Sequence, residues 1–257
     1  MKTTTILFLG SLPLLSNSLF DPVPSDQLRD LSADRPDATE SPITVDAGHI
    51  QIETSIYDFR HNNDDESHTF GAINFKLGLT DNSDIQFVFD AYTREDLAAS
   101  GGSEGFSDLT VRYKYNLWGN DGGDSALALF PFVKIPTGGD LSNDEWEGGL
   151  IVPFGTDLAE DIGLGLMAEI DYVFDEDTGD HNFEFLHTAV LGFDLTEQIG
   201  LFTEYIGIAA EDRYEAYFAG GLTYAVHENL LLDCGAQIGL NAHAEDLGLF
   251  TGFTVRY

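Results

Sequence analysis

Charged residues stand at alternating positions within otherwise apolar or glycine-rich stretches. Lys76, Asp90, Arg112, Lys114 and Lys134 come first along the chain, and Glu169, Asp171, Glu204, Asp233 and Arg256 follow. Residues two apart on a strand share a face, so this spacing puts the charges together on one side of a sheet. If that sheet closes, the cations of its early strands oppose the carboxylates of its later ones. Walls of opposite sign orient dipolar solutes and filter them by charge. The same residues could instead pair with one another, Asp90 with Lys76 and Arg112 for example, because charges at membrane depth are costly and must find partners. Both readings stay open at the level of sequence.

Catalytic and metal chemistry have weaker claims. His187 is in phase with Phe185, Ala189 and Leu191, and no serine can be placed beside it as a lipid hydrolase would require. The run Asp175-Glu176-Asp177-Thr178-Gly179-Asp180 resembles a calcium loop, but its glycine falls at the fifth place and the closing glutamate is missing. Loose binding of divalent cations is the most it predicts. No metal centre and no cofactor are expected. Cys234 lies on an apolar face, where a lipid-packed thiol is the default.

Twelve segments with a period of two must position these side chains. They are Gly48–Phe59, Thr69–Thr80, Asp84–Tyr92, Ser107–Trp118, Ala126–Pro136, Trp146–Phe154, Asp161–Phe174, Asn182–Leu195, Ile199–Ile208, Tyr214–Val226, Leu230–Leu240 and Leu247–Tyr257. In the fourth, Leu109, Val111, Tyr113, Tyr115 and Leu117 oppose Asp108, Thr110, Arg112, Lys114 and Asn116. Most reach or exceed the roughly 9–11 residues of a tilted membrane strand, and aromatic residues such as Trp118, Trp146, Tyr172 and Tyr257 sit near their ends. The expected fold is all-β, a transmembrane antiparallel β-barrel of about twelve strands, over residues 48–257, with an N-terminal periplasmic extension.

Residues 1–18 carry Lys2 and an apolar run from Ile6 to Leu15, too short to span a bilayer as a helix, and read as a secretory signal cleaved near Ser18. Residues 19–47 are rich in Pro, Asp and Ser. They are either a periplasmic tail or a plug folded into the mouth, with Arg35 reaching an acidic wall residue. The single cysteine excludes an internal disulfide. A formal net charge of −34 argues against nucleic acid.

Short links (Asp81–Ser83, Thr196–Gln198, His227–Asn229) alternate with longer acidic ones (Arg60–His68, Thr93–Phe106, Thr137–Glu145), which places both termini at the periplasmic rim. Gly119–Ser125 is long for a turn on that side. The last strand ends in Tyr257, a terminal aromatic of the kind that barrel-assembly machinery recognises. Counting back from it puts Arg256 in the lumen, with Glu53 on the first strand as its expected partner. The expected location is the outer membrane, with its lipids as partners.

Short motifs add a family resemblance. Asp34-Arg35-Pro36 is followed by Thr39 and Glu40, and Gly48-His49-Ile50-Gln51-Ile52-Glu53 opens the first strand. Gly105-Phe106-Ser107-Asp108 enters the fourth, and Phe130-Pro131-Phe132-Val133-Lys134-Ile135-Pro136-Thr137-Gly138 ends the fifth. In these the chain resembles the outer-membrane transporter-like family labelled "MetA pathway of phenol degradation". The resemblance implies a barrel passing small organic solutes, often aromatic or apolar. A structural or adhesive barrel without transport is the alternative, and a lipid hydrolase a more distant one.

Overall fold

The computed structural model describes residues 17–98, 101–176 and 178–257. The expected signal therefore lies outside the described residues except for Asn17 and Ser18, and so does Asp177 of the acidic run.

The strands are β1 (Ile50–Asn62), β2 (Asp65–Thr80), β3 (Ser83–Leu97), β4 (Gly101–Gly105), β5 (Leu109–Trp118), β6 (Ser125–Ile135) and β7 (Glu147–Ala159). After them come β8 (Ile162–Asp175), β9 (Asp180–Asp194), β10 (Ile199–Ala209), β11 (Tyr214–His227), β12 (Leu230–Gly239) and β13 (Leu247–Arg256). Neighbours pair antiparallel in sequence order, except that β3 pairs with β5, and β1 pairs with β13 to close the ring. Twelve strands form the barrel, as their alternation predicts. The thirteenth, β4, only extends one edge of β3 from Thr93 to Leu97.

Closure leaves no free edge among the twelve barrel strands, which a bilayer demands because it offers no water to unpaired backbone. The side chains invert the usual globular pattern. Lys76, Lys114, Gln51, Gln86, Glu53 and Glu204 are among the largest fully buried side chains, whereas Leu150, Leu166, Ile170, Leu222, Leu232 and Leu249 are exposed on the outer wall. Cys234 is exposed on that same apolar face. Such an apolar exterior around a polar interior suits hydrocarbon outside and water within.

Two connections differ from expectation at the rim opposite the termini, here the loop rim. Arg60–His68 is not a loop: β1 runs on to Asn62 and β2 starts at Asp65, with Asn63 at φ 56° in the tight turn. Likewise β3 continues to Leu97 instead of yielding to a loop at Thr93. At the rim of the termini, β7 runs on to Ala159, five residues past the expected end at Phe154. Beyond the bilayer both faces of a strand are wet, so the period-two signal fades while backbone pairing persists.

Candidate functional site

The N-terminal segment does not trail away from the barrel. It enters at the terminal rim, where Ser18 pairs with Thr80 and Leu19 N donates to Leu79 O at 2.8 Å. From there it runs inside the ring and leaves through Thr44–Ala47 to begin β1. Asp34, Thr39, Thr44, Val45, Asp46 and Ala47 are buried.

Its contacts bridge the two charged walls. On the cationic side, Asp34 takes Lys76 on one carboxylate oxygen and Lys114 on the other, the latter at 2.8 Å. Glu40 pairs with Arg112. On the acidic side, Arg35 Nη2 and Nε reach Asp233 at 2.7 and 3.2 Å, and its Nη1 donates to Ser55 Oγ at 2.6 Å. Glu204 accepts from Ala38 N, Thr39 N and Thr39 Oγ1 at 2.9, 2.8 and 2.6 Å. Glu53 accepts the amides of Asp34 and Arg35 at 3.1 Å and also pairs with Lys76. Buried charges persist when paired and hydrogen-bonded, and here the segment supplies the partners that the wall lacks. Pro36 lies at the turn between the two sides and lines a cavity below.

Two expected pairs do not form. Asp90 joins neither Lys76 nor Arg112, because β3 pairs Gln86 with both of those residues and Ala72 with Asp90. Asp90 is thus four residues further up the strand, roughly 13 Å away, and the segment's carboxylates take the cations. Arg256 does not meet Glu53 either. The β1–β13 register sets Arg256 opposite Gln51, Glu53 is engaged by Lys76, and Arg256 Nη1 reaches Asp46 Oδ2 at 3.2 Å and the Arg29 carbonyl at 2.8 Å.

The remaining charges lie nearer the loop rim. Lys134 pairs with Asp108 at 3.2 Å and Glu147 at 3.0 Å. Glu169 and Asp171 have no ion-pair partner among the described residues, and Asp171 Oδ1 is buried without a hydrogen bond. Between these charges the lumen carries apolar strips that charge spacing does not reveal. One is Phe130, Ile151 and Met167 flanked by Phe132; the other is Val190, Phe202, Ile206, Tyr217 and Phe250. Lys114 Nζ sits 4.3 Å from the centre of the Phe130 ring.

The long Gly119–Ser125 connection has a purpose at the segment's exit. Asn120 Oδ1 accepts Thr44 N at 2.9 Å, while its Nδ2 donates to Thr44 Oγ1 at 2.7 Å and to the Asp81 carbonyl at 2.6 Å. Glycines 119, 122 and 123 at positive φ form this clasp. Its signal in the sequence was only the anomalous length.

The segment does not fill the lumen. A cavity of about 630 Å³ remains between residues 31–43 and the β6–β10 wall, continuous in lining with a smaller one of about 290 Å³.

Residues 33–257 match the family described as "Putative MetA-pathway of phenol degradation". The chain belongs to that family. The match begins one residue before the Asp34-Arg35-Pro36 motif, and Asp34, Arg35, Thr39, Glu40 and Glu53 are the residues that tie segment to wall. Among solved structures the chain is similar to an outer membrane channel from Pseudomonas putida F1, at 14% identity and a TM-score of 0.67, covering 88% of this chain and 100% of that one. It is also similar to the NanC porin (10% identity, TM-score 0.55, coverage 80% and 98%). A third likeness is to the KdgM porin in complex with disordered oligogalacturonate (8% identity, TM-score 0.52, coverage 77% and 97%). No curated protein matches.

In this member of the phenol-degradation family, His187 faces outward in an aromatic stack. Its Nε2 lies 3.2 Å from Tyr214 Oη, and its ring stacks on Phe185 at 5.4 Å. Gly101-Gly102-Ser103-Glu104-Gly105 fits the G-x-S-x-G pattern of a hydrolase elbow. It forms the accessory strand β4, and Ser103 Oγ donates to Glu95 Oε2 at 3.0 Å. A nucleophile elbow is a strand-to-helix turn, which this is not.

Glu40 makes docking of the segment pH-dependent. Burial and the nearby Asp34 push its carboxyl up to about 7, against the pull of Arg112, Lys114 and Lys76. A carboxyl raised on docking takes up a proton. Its contribution is complete below the undocked value of 4.5 and is lost as pH rises through about 7, a difference of up to about 3 kcal/mol. Asp34, held well below the usual carboxylate range by Lys114, Lys76 and Arg112 despite burial, acts oppositely and only in strong acid. Protease access to the segment is therefore expected to increase from about pH 5 to about pH 8. Glu40→Gln should make that profile shallower, Asp37 supplying a remainder of the same sign, and an equally steep profile in the variant would refute the assignment.

Proposed function

We propose that the chain is an outer-membrane channel for small organic solutes, narrowed at the periplasmic end by its own N-terminal segment. One observation carries the reading: inside an apolar outer belt lies a polar lumen that the segment enters without filling, leaving about 630 Å³ beside it. A structural barrel gains nothing from this space, whereas a conduit needs it. Val190 and Phe202 line that space and give an apolar solute a surface to rest on, and the charged walls turn its polar end. The three similar solved structures named above are a channel and two porins, and the family description points to organic compounds.

Liposome swelling with a panel of neutral sugars, small aromatics and organic ions tests this. Small solutes should enter faster than into protein-free vesicles, with a cut-off well below that of a sixteen-stranded porin. A barrel that admits none of them is not a channel.

A further inference from the structure

We propose that the cavity between the N-terminal segment and the β6–β10 wall binds a small organic cation, its ammonium group at Asp37 and its hydrocarbon part against Phe202 and Val190. This rests on the channel reading and names a solute class for it.

The space is suitable. The cavities of about 630 and 290 Å³ share Arg35, Asp37, Gly163, Gly192 and Phe202 in their lining, a size range that holds a compact organic molecule. Gly192 faces it, and a Cβ built there meets nothing within 4 Å, so the volume extends to the wall itself.

The charge balance selects the sign. Arg35 is neutralised by Asp233, and Glu40 is matched by Arg112. Asp37 has no ion-pair partner among the described residues, nor do Asp157 and Asp194 at the mouth. Burial and the neighbouring Glu204, Glu40 and Asp34 raise the Asp37 carboxyl well above its ordinary range. The local field is thus short of positive charge, which an ammonium group would supply and a carboxylate would worsen. Phe202 and Val190, 6% and 8% exposed, add an apolar face next to that carboxylate. A bare metal ion would leave this face unused.

Calorimetry on the detergent-solubilised full chain decides the matter, using benzylammonium, benzyl alcohol and benzoate as probes of one shape and three charges. Benzylammonium is expected to bind roughly tenfold more tightly than benzyl alcohol, and benzoate more weakly still. Asp37→Asn, which removes a like charge and so leaves docking intact, should abolish the preference. Gly192→Val, at a strand position with free space, should weaken all three probes by filling the cavity. Equal binding of benzylammonium and benzyl alcohol, or an unchanged preference in Asp37→Asn, overturns the proposal. Liposome flux measured in parallel separates the two readings. Binding without flux retains the site and removes the channel; flux of benzylammonium that is indifferent to Asp37 retains the channel and removes the site.

Discussion

Removing residues 19–40 should raise single-channel conductance several-fold in planar bilayers while leaving the barrel folded. The deleted stretch contains Asp34, Arg35, Thr39 and Glu40, whose contacts reach β1, β2, β5, β10 and β12 across the lumen. Without it, Lys114 and Arg112 on one wall, and Glu204 and Asp233 on the other, lose the partners that the segment supplies, while Lys76 and Glu53 keep each other. They do not become buried orphans, because water enters the vacated space and hydrates them. The strand ladders are untouched, so heat-modifiable migration in gels should still report a folded barrel. Opposed rows of hydrated charge would then line a wider pore, and its current should depend more strongly on salt than that of the intact protein. Unchanged conductance in a folded variant would show that the segment does not limit passage.

Asp34→Ala should be more damaging to docking than deleting the whole stretch is to the barrel. In the intact chain Lys114 is 1% exposed, and among the described residues Asp34 is the one carboxylate in ion-pair contact with it, Asp84 facing it across the β3–β5 ladder without such a contact; the Ile43 carbonyl at 3.0 Å and the Phe130 ring also touch it. Lys76 keeps Glu53. Truncating Asp34 with the segment in place leaves Lys114 buried without a counter-ion, a penalty of about 3–5 kcal/mol for breaking such a pair. Undocking relieves it by admitting water. The expected results are rapid proteolysis between residues 19 and 47 and a conductance approaching that of the deletion. The double variant Asp34→Ala, Lys114→Met removes both partners of that pair, leaves Lys76 with Glu53, and should recover much of the protection. If Asp34→Ala is as protected as the wild type, the lysine–aspartate cluster is not what holds the segment.

Membrane physics explains how much of this was legible in the sequence. Hydrocarbon forces one strand face to be apolar, so the phase of β5, with Tyr113 and Tyr115 outward and Arg112 and Lys114 inward, followed from alternation alone. Where the bilayer ends so does that constraint, and the continued pairing of His61 with Glu66 and of Arg94 with His68 was hidden. Partner choice was also hidden. Strand phase can put Arg256 in the lumen, but only the path of the segment decides that Asp46, 210 positions away, meets it there. Arg35 reaching an acidic wall residue was one of two open readings of residues 19–47, and Asp233 is the residue it reaches. The apolar lumen strips escaped notice because Phe130 and Phe202 read as lipid contacts unless their parity is counted against a neighbouring charge. Phe202 shares the parity of Glu204, and Phe130 that of Lys134.

The contact of Arg256 with Asp46 and with the Arg29 carbonyl has a consequence for how the molecule is made. The final strand contributes a root of the segment that precedes the first strand, and both meet at the β1–β13 seam. That side of the segment cannot be fastened until the seam has closed, since the contacts there join residues more than 200 positions apart, the slowest kind for a chain to find. Assembly therefore has an order: the ring is completed as an open vessel, and the act that seals its circumference also supplies the last tie for the stopper.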